Sequence, residues 1–170
     1  MKTIFTFTVL LLIQSTIHAE SDVKCFNISG QVYELNLADS AEKSVQKTSI
    51  EVWSGDELIT TVETGAKGKY KIGLAYYPHY TLKFGKAPYV TKIVEINTQG
   101  FGRAAEFGIV NLDLDVSLFR DEGYMGMDFM SYTPVAKGYF NKKKGKLEWD
   151  EKYSQQMTGR IRGVVMANRR

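Results

Sequence analysis

The sequence is poor in the residues that carry most protein chemistry: its 170 residues include one cysteine, two histidines and three prolines. A single cysteine, Cys25, excludes an intramolecular disulfide, so stability must come from packing. Its thiol is either a small buried hydrophobe, the favoured reading, or an exposed reactive group. His18 lies in the N-terminal segment, which leaves His79 as the only histidine for the body of the chain. No H-E-x-x-H, no G-x-S-x-G and no paired spacing of metal ligands occurs, and Cys25 and His79 are far apart in sequence. These absences point away from an enzyme, a resident metal and a cofactor. The net charge of only +3 implies no nucleic-acid partner.

Long apolar runs are missing too, with one exception. After Lys2 an apolar run extends from Ile4 to Ile17, shorter than the roughly twenty residues of a membrane-spanning helix. It closes with Gln14, Ser15 and Thr16 and then a small residue, Ala19. Residues 1–19 therefore read as a secretory signal cut after Ala19. Asp22, Val23 and Lys24 lack the small side chains of a lipobox, so lipidation of Cys25 is not expected.

What remains is 44% hydrophobic and 24% charged over the whole chain, which suits one globular domain with a real core. Acidic side chains outnumber basic ones from Glu20 to Ala136, and the balance reverses from Lys137 to Arg170. An acidic body thus carries a basic tail.

Period-two alternation dominates. Tyr70, Ile72 and Leu74 alternate with Lys69, Lys71 and Gly73, and Tyr80, Leu82 and Phe84 alternate with Thr81, Lys83 and Gly85. That is the pattern of half-buried antiparallel strands. With the run from Leu58 they form an expected three-stranded meander, whose first turn, Thr64 to Lys69, draws positive-φ freedom from Gly65 and Gly68. Further strands are expected at Phe26 to Leu35, Ile50 to Ser54, Val90 to Asn97 and Ile109 to Phe119, and a short one at Val135 to Phe140. Ala38 to Thr48 and Thr98 to Gly108 read as loops. Asn27, Ile28 and Ser29 form a glycosylation sequon, but inside a strand it carries little weight. From Asp150, a suitable N-cap, Tyr153, Met157 and Ile161 recur every four residues and predict a helix laid on the sandwich, fraying beyond Gly159 and Gly163.

In the run from Thr60, T-x-x-x-G-x-x-G-K-Y (Thr61 to Tyr70), then Y-T-L-K-F from Tyr80 and K-A-P-Y-V-T-K from Lys86 to Lys92, resemble the carboxypeptidase regulatory-like domain, a transthyretin-like (prealbumin-like) β-sandwich. Asp115 to Phe119, Pro134 to Phe140 and Glu148 to Tyr153 extend the resemblance to a secreted group common in the Bacteroidota. One departure is Ala87-Pro88 where that group usually has Pro-Gly. The resemblance implies an antiparallel β-sandwich of about seven strands over residues 20–120, with residues 121–170 a C-terminal extension ending in a helix. It implies a non-catalytic interaction module of the bacterial cell envelope, periplasmic, outer-membrane-associated or secreted. Its partner would be an envelope protein or a glycan. Related hydrolases that open a urate-derived ring use several histidines and a C-terminal Tyr-Arg-Gly-Ser, which this chain lacks.

Candidate sites are few. Tyr76, Tyr77 and His79 around Pro78 form an aromatic turn of the kind that stacks on sugars, although such rings also shield the end of a core. Asp113 and Asp115 share a strand face at about 7 Å, but read as a solvent face rather than a catalytic or calcium-binding pair. Met125 to Met130 is either an adaptable contact surface or cover for the sandwich, and cover is favoured. Arg160, Arg162, Arg169 and Arg170 could touch an anionic surface or simply balance the acidic body. Asp39-Ser40-Ala41 matches the short signal at which exported proteins of that phylum are O-glycosylated, making Ser40 a candidate.

Overall fold

The computed structural model describes residues 26–36, 41–101 and 109–168. The signal at residues 1–19, Cys25, Ser40, Arg169 and Arg170 fall outside them. The described strands are β1 (Phe26–Leu35), β2 (Glu42–Ser44), β3 (Ser49–Ser54), β4 (Glu57–Glu63), β5 (Lys69–Leu74) and β6 (His79–Gly85). They continue with β7 (Lys92–Asn97), β8 (Val110–Asp113), β9 (Val116–Leu118), β10 (Ala136–Asn141) and β11 (Lys146–Trp149), and a helix, α1 (Glu151–Asn168), follows.

The strands form a β-sandwich. Sheet one is centred on β1, which pairs antiparallel with β2 and β5 and parallel with β8 and β9. Sheet two runs β11-β10-β7-β6-β3-β4. Alternate residues of both sheets point into the space between them: Phe26, Ile28, Val32, Tyr70, Ile72 and Leu74 from one, Ile50, Val52, Tyr80, Leu82, Phe84, Val94 and Ile96 from the other, all buried. Tyr70 and Phe84 meet edge-on across the interface at 5.7 Å.

The mainly β fold with a C-terminal helix stands, and four details differ from the sequence expectation. First, the sheets are mixed: β8 and β9 run parallel to β1, and β10 parallel to β7. Second, the run from Leu58 to Phe84 is no meander, because β4 and β6 lie in sheet two and β5 in sheet one. The chain crosses between layers at residues 64–68 and again before β6, and the true hairpin is β3–β4 around Gly55 at φ 58°. At the first crossing positive φ falls on Lys67 and Gly68, not on Gly65. A Cβ on Gly68 would stand 2.4 Å from the Val32 carbonyl oxygen, so only glycine fits. Third, the polar segment before Thr48 contributes β2, and Val45 and Thr48 are buried. Fourth, β10 and β11 belong to sheet two, so the chain beyond residue 120 completes the sandwich as well as extending it.

Helix α1 starts where expected, with the Asp150 carboxylate accepting from the Tyr153 amide at 2.9 Å. Its stripe packs in a second, smaller core: Met157 and Val165 are buried with Phe119, Met127, Phe129 and Met130, and Tyr153 and Ile161 pack against them. The far end does not fray. The Asn168 side-chain amide accepts from the Met125 amide at 2.9 Å and donates to its carbonyl at 3.0 Å, which ties the last turn down. Trp149 packs instead on the main core.

Candidate functional site

One concavity with aromatic walls lies outside sheet two. Because Val52, Leu82 and Val94 point inward, their neighbours Trp53, Thr81, Lys83, Ile93 and Glu95 point outward. These five floor a groove of about 390 Å³, closed on one side by the Gly55-Asp56 turn and on the other by Ser131 and Tyr132. Trp53 stands where the β3–β4 register shifts, between Val52 and Trp53. Such irregularities re-aim side chains. Tyr132 follows a 3-10 turn, Asp128–Ser131, anchored by buried Phe129 and Met130, and is itself 72% exposed.

Four contacts fix the floor and its edge. The Trp53 indole donates to Glu51 Oε2 at 3.0 Å. Lys83 Nζ sits 4.7 Å from the Trp53 ring centroid, a cation–π contact that holds both groups. Glu95 pairs with Lys137 at 3.0 Å, and Lys137 Nζ lies 4.9 Å from the Tyr153 ring. The groove thus offers two aromatic rings, three hydroxyls, two carboxylates and an ammonium. That mixture recognises a ligand with both apolar faces and many hydrogen-bonding groups.

The aromatic turn is split by the structure. Tyr76 is exposed, with its ring stacked at 6.2 Å on buried Phe101. Tyr77 packs edge-on against Tyr80 and borders a separate groove of about 330 Å³ between β4 and β5. His79 lies on β6, paired with Asn97. The turn is braced from within, since the hydroxyls of Tyr80 and Thr98 donate to the Ala75 and Tyr77 carbonyls.

The aspartates have structural partners. Asp113 accepts from the Ser29 hydroxyl at 3.2 Å, and Asp115 accepts from the Gln31 backbone amide at 2.8 Å, bridging the break between β8 and β9. Of the methionines, Met127 and Met130 are buried while Met125 is 83% exposed. Arg160 lies 3.8 Å over the Phe129 ring, on the second core, and Arg162 is exposed on α1. Sequence reasoning missed Trp53 and Tyr132. The available signal was a tryptophan on the polar side of an alternating strand.

No protein-family model matches the sequence, and no curated protein matches it. Among solved structures, GBS52, the minor pilin of the Gram-positive pathogen Streptococcus agalactiae, is similar at 12% identity and a TM-score of 0.39, over 55% of this chain and 44% of that one. The group B streptococcus pilus 2b backbone protein is similar at 12% identity and a TM-score of 0.37, over 56% and 41%. The chain therefore spans less than half the length of either pilin.

Proposed function

We propose that the chain is an exported, non-catalytic binding module of a bacterial cell envelope, and that a saccharide seats in the groove between Trp53 and Tyr132. The observation that carries the reading is the groove's lining, in which Trp53 and Tyr132 flank Thr81, Lys83, Glu95 and Ser131. Sugar rings present apolar C–H faces and a rim of hydroxyls, which match aromatic rings set among donors and acceptors. The apolar N-terminal run and the resemblance to the carboxypeptidase regulatory-like domain support export.

Binding to a glycan array and to isolated envelope polysaccharide tests the reading. At about 1 kcal/mol per stacked ring, Trp53→Ala or Tyr132→Ala should weaken binding about fivefold and the double variant about thirtyfold. Tyr76→Ala with Tyr77→Ala should leave it unchanged. Loss on the Tyr76 and Tyr77 pair instead would move the site to the aromatic turn. If the wild-type protein binds no glycan while pull-down from native envelope recovers a protein partner, the saccharide reading fails.

A further inference from the structure

The sandwich has an open side. Strand β4 ends sheet two and pairs only with β3; β5 ends its side of sheet one and pairs only with β1 along its length. The two strands approach each other, and Glu57–Thr60 of β4 face Gly73–Ala75 across the 330 Å³ groove. Among the described residues, two strand edges without a strand partner therefore lie side by side, the Lys69 carbonyl at one end of β5 accepting from the Gly65 amide at 2.9 Å. Such edges are templates for strand addition. Leu58, 47% exposed, borders the gap between them.

The charges on these edges are complementary. Strand β4 carries Glu57 and Glu63 at its two ends and no cation, while β5 carries exposed Lys69 and Lys71 and no anion. None of these four forms an ion pair among the described residues. We propose that this side docks a second copy of the chain, β4 of one protomer pairing antiparallel with β5 of the other. A two-fold axis parallel to the strands does this twice at once. It carries the edge of sheet two onto the edge of the partner's sheet one, and β4 runs against β5 because the chain reverses between them at residues 64–68. The axis preserves height along the strands, so Glu63, beside that reversal, meets the second copy's Lys69, and Thr61 meets its Lys71. Pairing β4 with another β4 would set Glu57 against Glu63, and like charges directly opposite are unfavourable.

Sedimentation of the purified protein over a wide concentration range tests this. The wild-type chain should dimerise. Glu63→Lys and Lys69→Glu should each weaken the dimer about tenfold, since each removes two symmetric ion pairs, and the double variant should restore it. Both sites are exposed, so melting temperatures of all three variants should stay near wild type and report that the fold is kept. A wild-type monomer at every concentration overturns the proposal. So does a dimer indifferent to both reversals, or one that the double variant weakens further.

Discussion

Replacing Gly30 by alanine should open sheet one from its centre. A Cβ there would stand 2.0 Å from the Leu114 carbonyl oxygen and 2.6 Å from its carbon, both of them backbone atoms. Neither can swing aside, because the Leu114 amide donates to the Ser29 carbonyl at 2.9 Å and the Leu114 carbonyl accepts the Tyr70 hydroxyl at 2.5 Å. The chain at 114–115 would have to lift off β1 and forfeit both bonds. Overpacking costs about 1–3 kcal/mol, and the two hydrogen bonds cost about 1 kcal/mol each. The loss is then about 3–5 kcal/mol, against a total stability of about 5–15 kcal/mol for a domain. At about 2–4 °C per kcal/mol for a chain of this size, Tm should fall by about 10 °C. Gly159→Ala is the control of opposite sign. Nothing lies within 4 Å of its added Cβ, and alanine in a helix interior gains about 1 kcal/mol over glycine. Thermal unfolding followed by circular dichroism reads both. Gly30→Ala melting within about 2 °C of wild type would refute the close approach of Leu114 to β1.

Asp115→Ala should cost about 1–2 kcal/mol in a urea titration, because its carboxylate is the acceptor for the Gln31 amide where the ladder is interrupted. Burial pushes the Lys92 amine down to about 8, its Nζ lying 5.4 Å from the Phe119 ring. The folded state then binds fewer protons than the unfolded one between about 8 and the usual 10.5, so stability should rise with pH across that window. Lys92→Met should remove the rise, and an unchanged slope would assign it to another group. Glu34 is held below its usual value chiefly by the hydrogen bond from Arg120, at 2.8 Å. Its contribution should be complete above about 4.5 and fade as pH falls through the lowered value; Glu34→Gln should flatten that acid limb of the Tm profile. Ending the chain at Trp149 should uncover Phe119, Phe129 and Met130 and lose the burial of Met157 and Val165, about 3–6 kcal/mol at about 1.5–3 kcal/mol per side chain. An unchanged Tm would mean that α1 does not dock.

Faces were legible in the sequence, and neighbours were not. Every inward residue expected of the runs at Tyr70 to Leu74 and Tyr80 to Phe84 is buried, because period-two alternation is set by backbone geometry alone. Which strand lies beside which depends on the connections, and here local signals misled. Thr64 to Lys69 has the glycines of a hairpin turn, yet Gly68 is required by the approach of the Val32 and Val45 carbonyls rather than by strand pairing. The parallel pairings of β8, β9 and β10 leave no local trace, since each joins residues far apart in sequence. Phe101 shows the same limit: it sits in a glycine-flanked stretch that reads as loop, but it is fully buried, 4.4 Å from Phe26 and 5.1 Å from Phe140.

The candidate site follows from both lessons. Half of it was written in the alternation: with Ile50 and Val52 inward, Trp53 had to lie on the outer face, where a large aromatic ring is out of place unless something covers it. Lys83 covers it in part, and Thr81, Ile93 and Glu95 complete the floor because β6 pairs in register with β3 and β7 in turn with β6. The other half comes from a segment without periodicity. Tyr132 reaches the groove only because Phe129 and Met130 fasten the preceding turn into the second core beneath α1. The groove therefore depends on the helix, although no helix residue lines it. Removing α1 should loosen the Tyr132 wall while leaving Trp53 in place, so the truncated chain should lose glycan affinity to about the level of Tyr132→Ala and not of the double variant. Affinity equal to wild type after truncation would show that the second core does not position Tyr132.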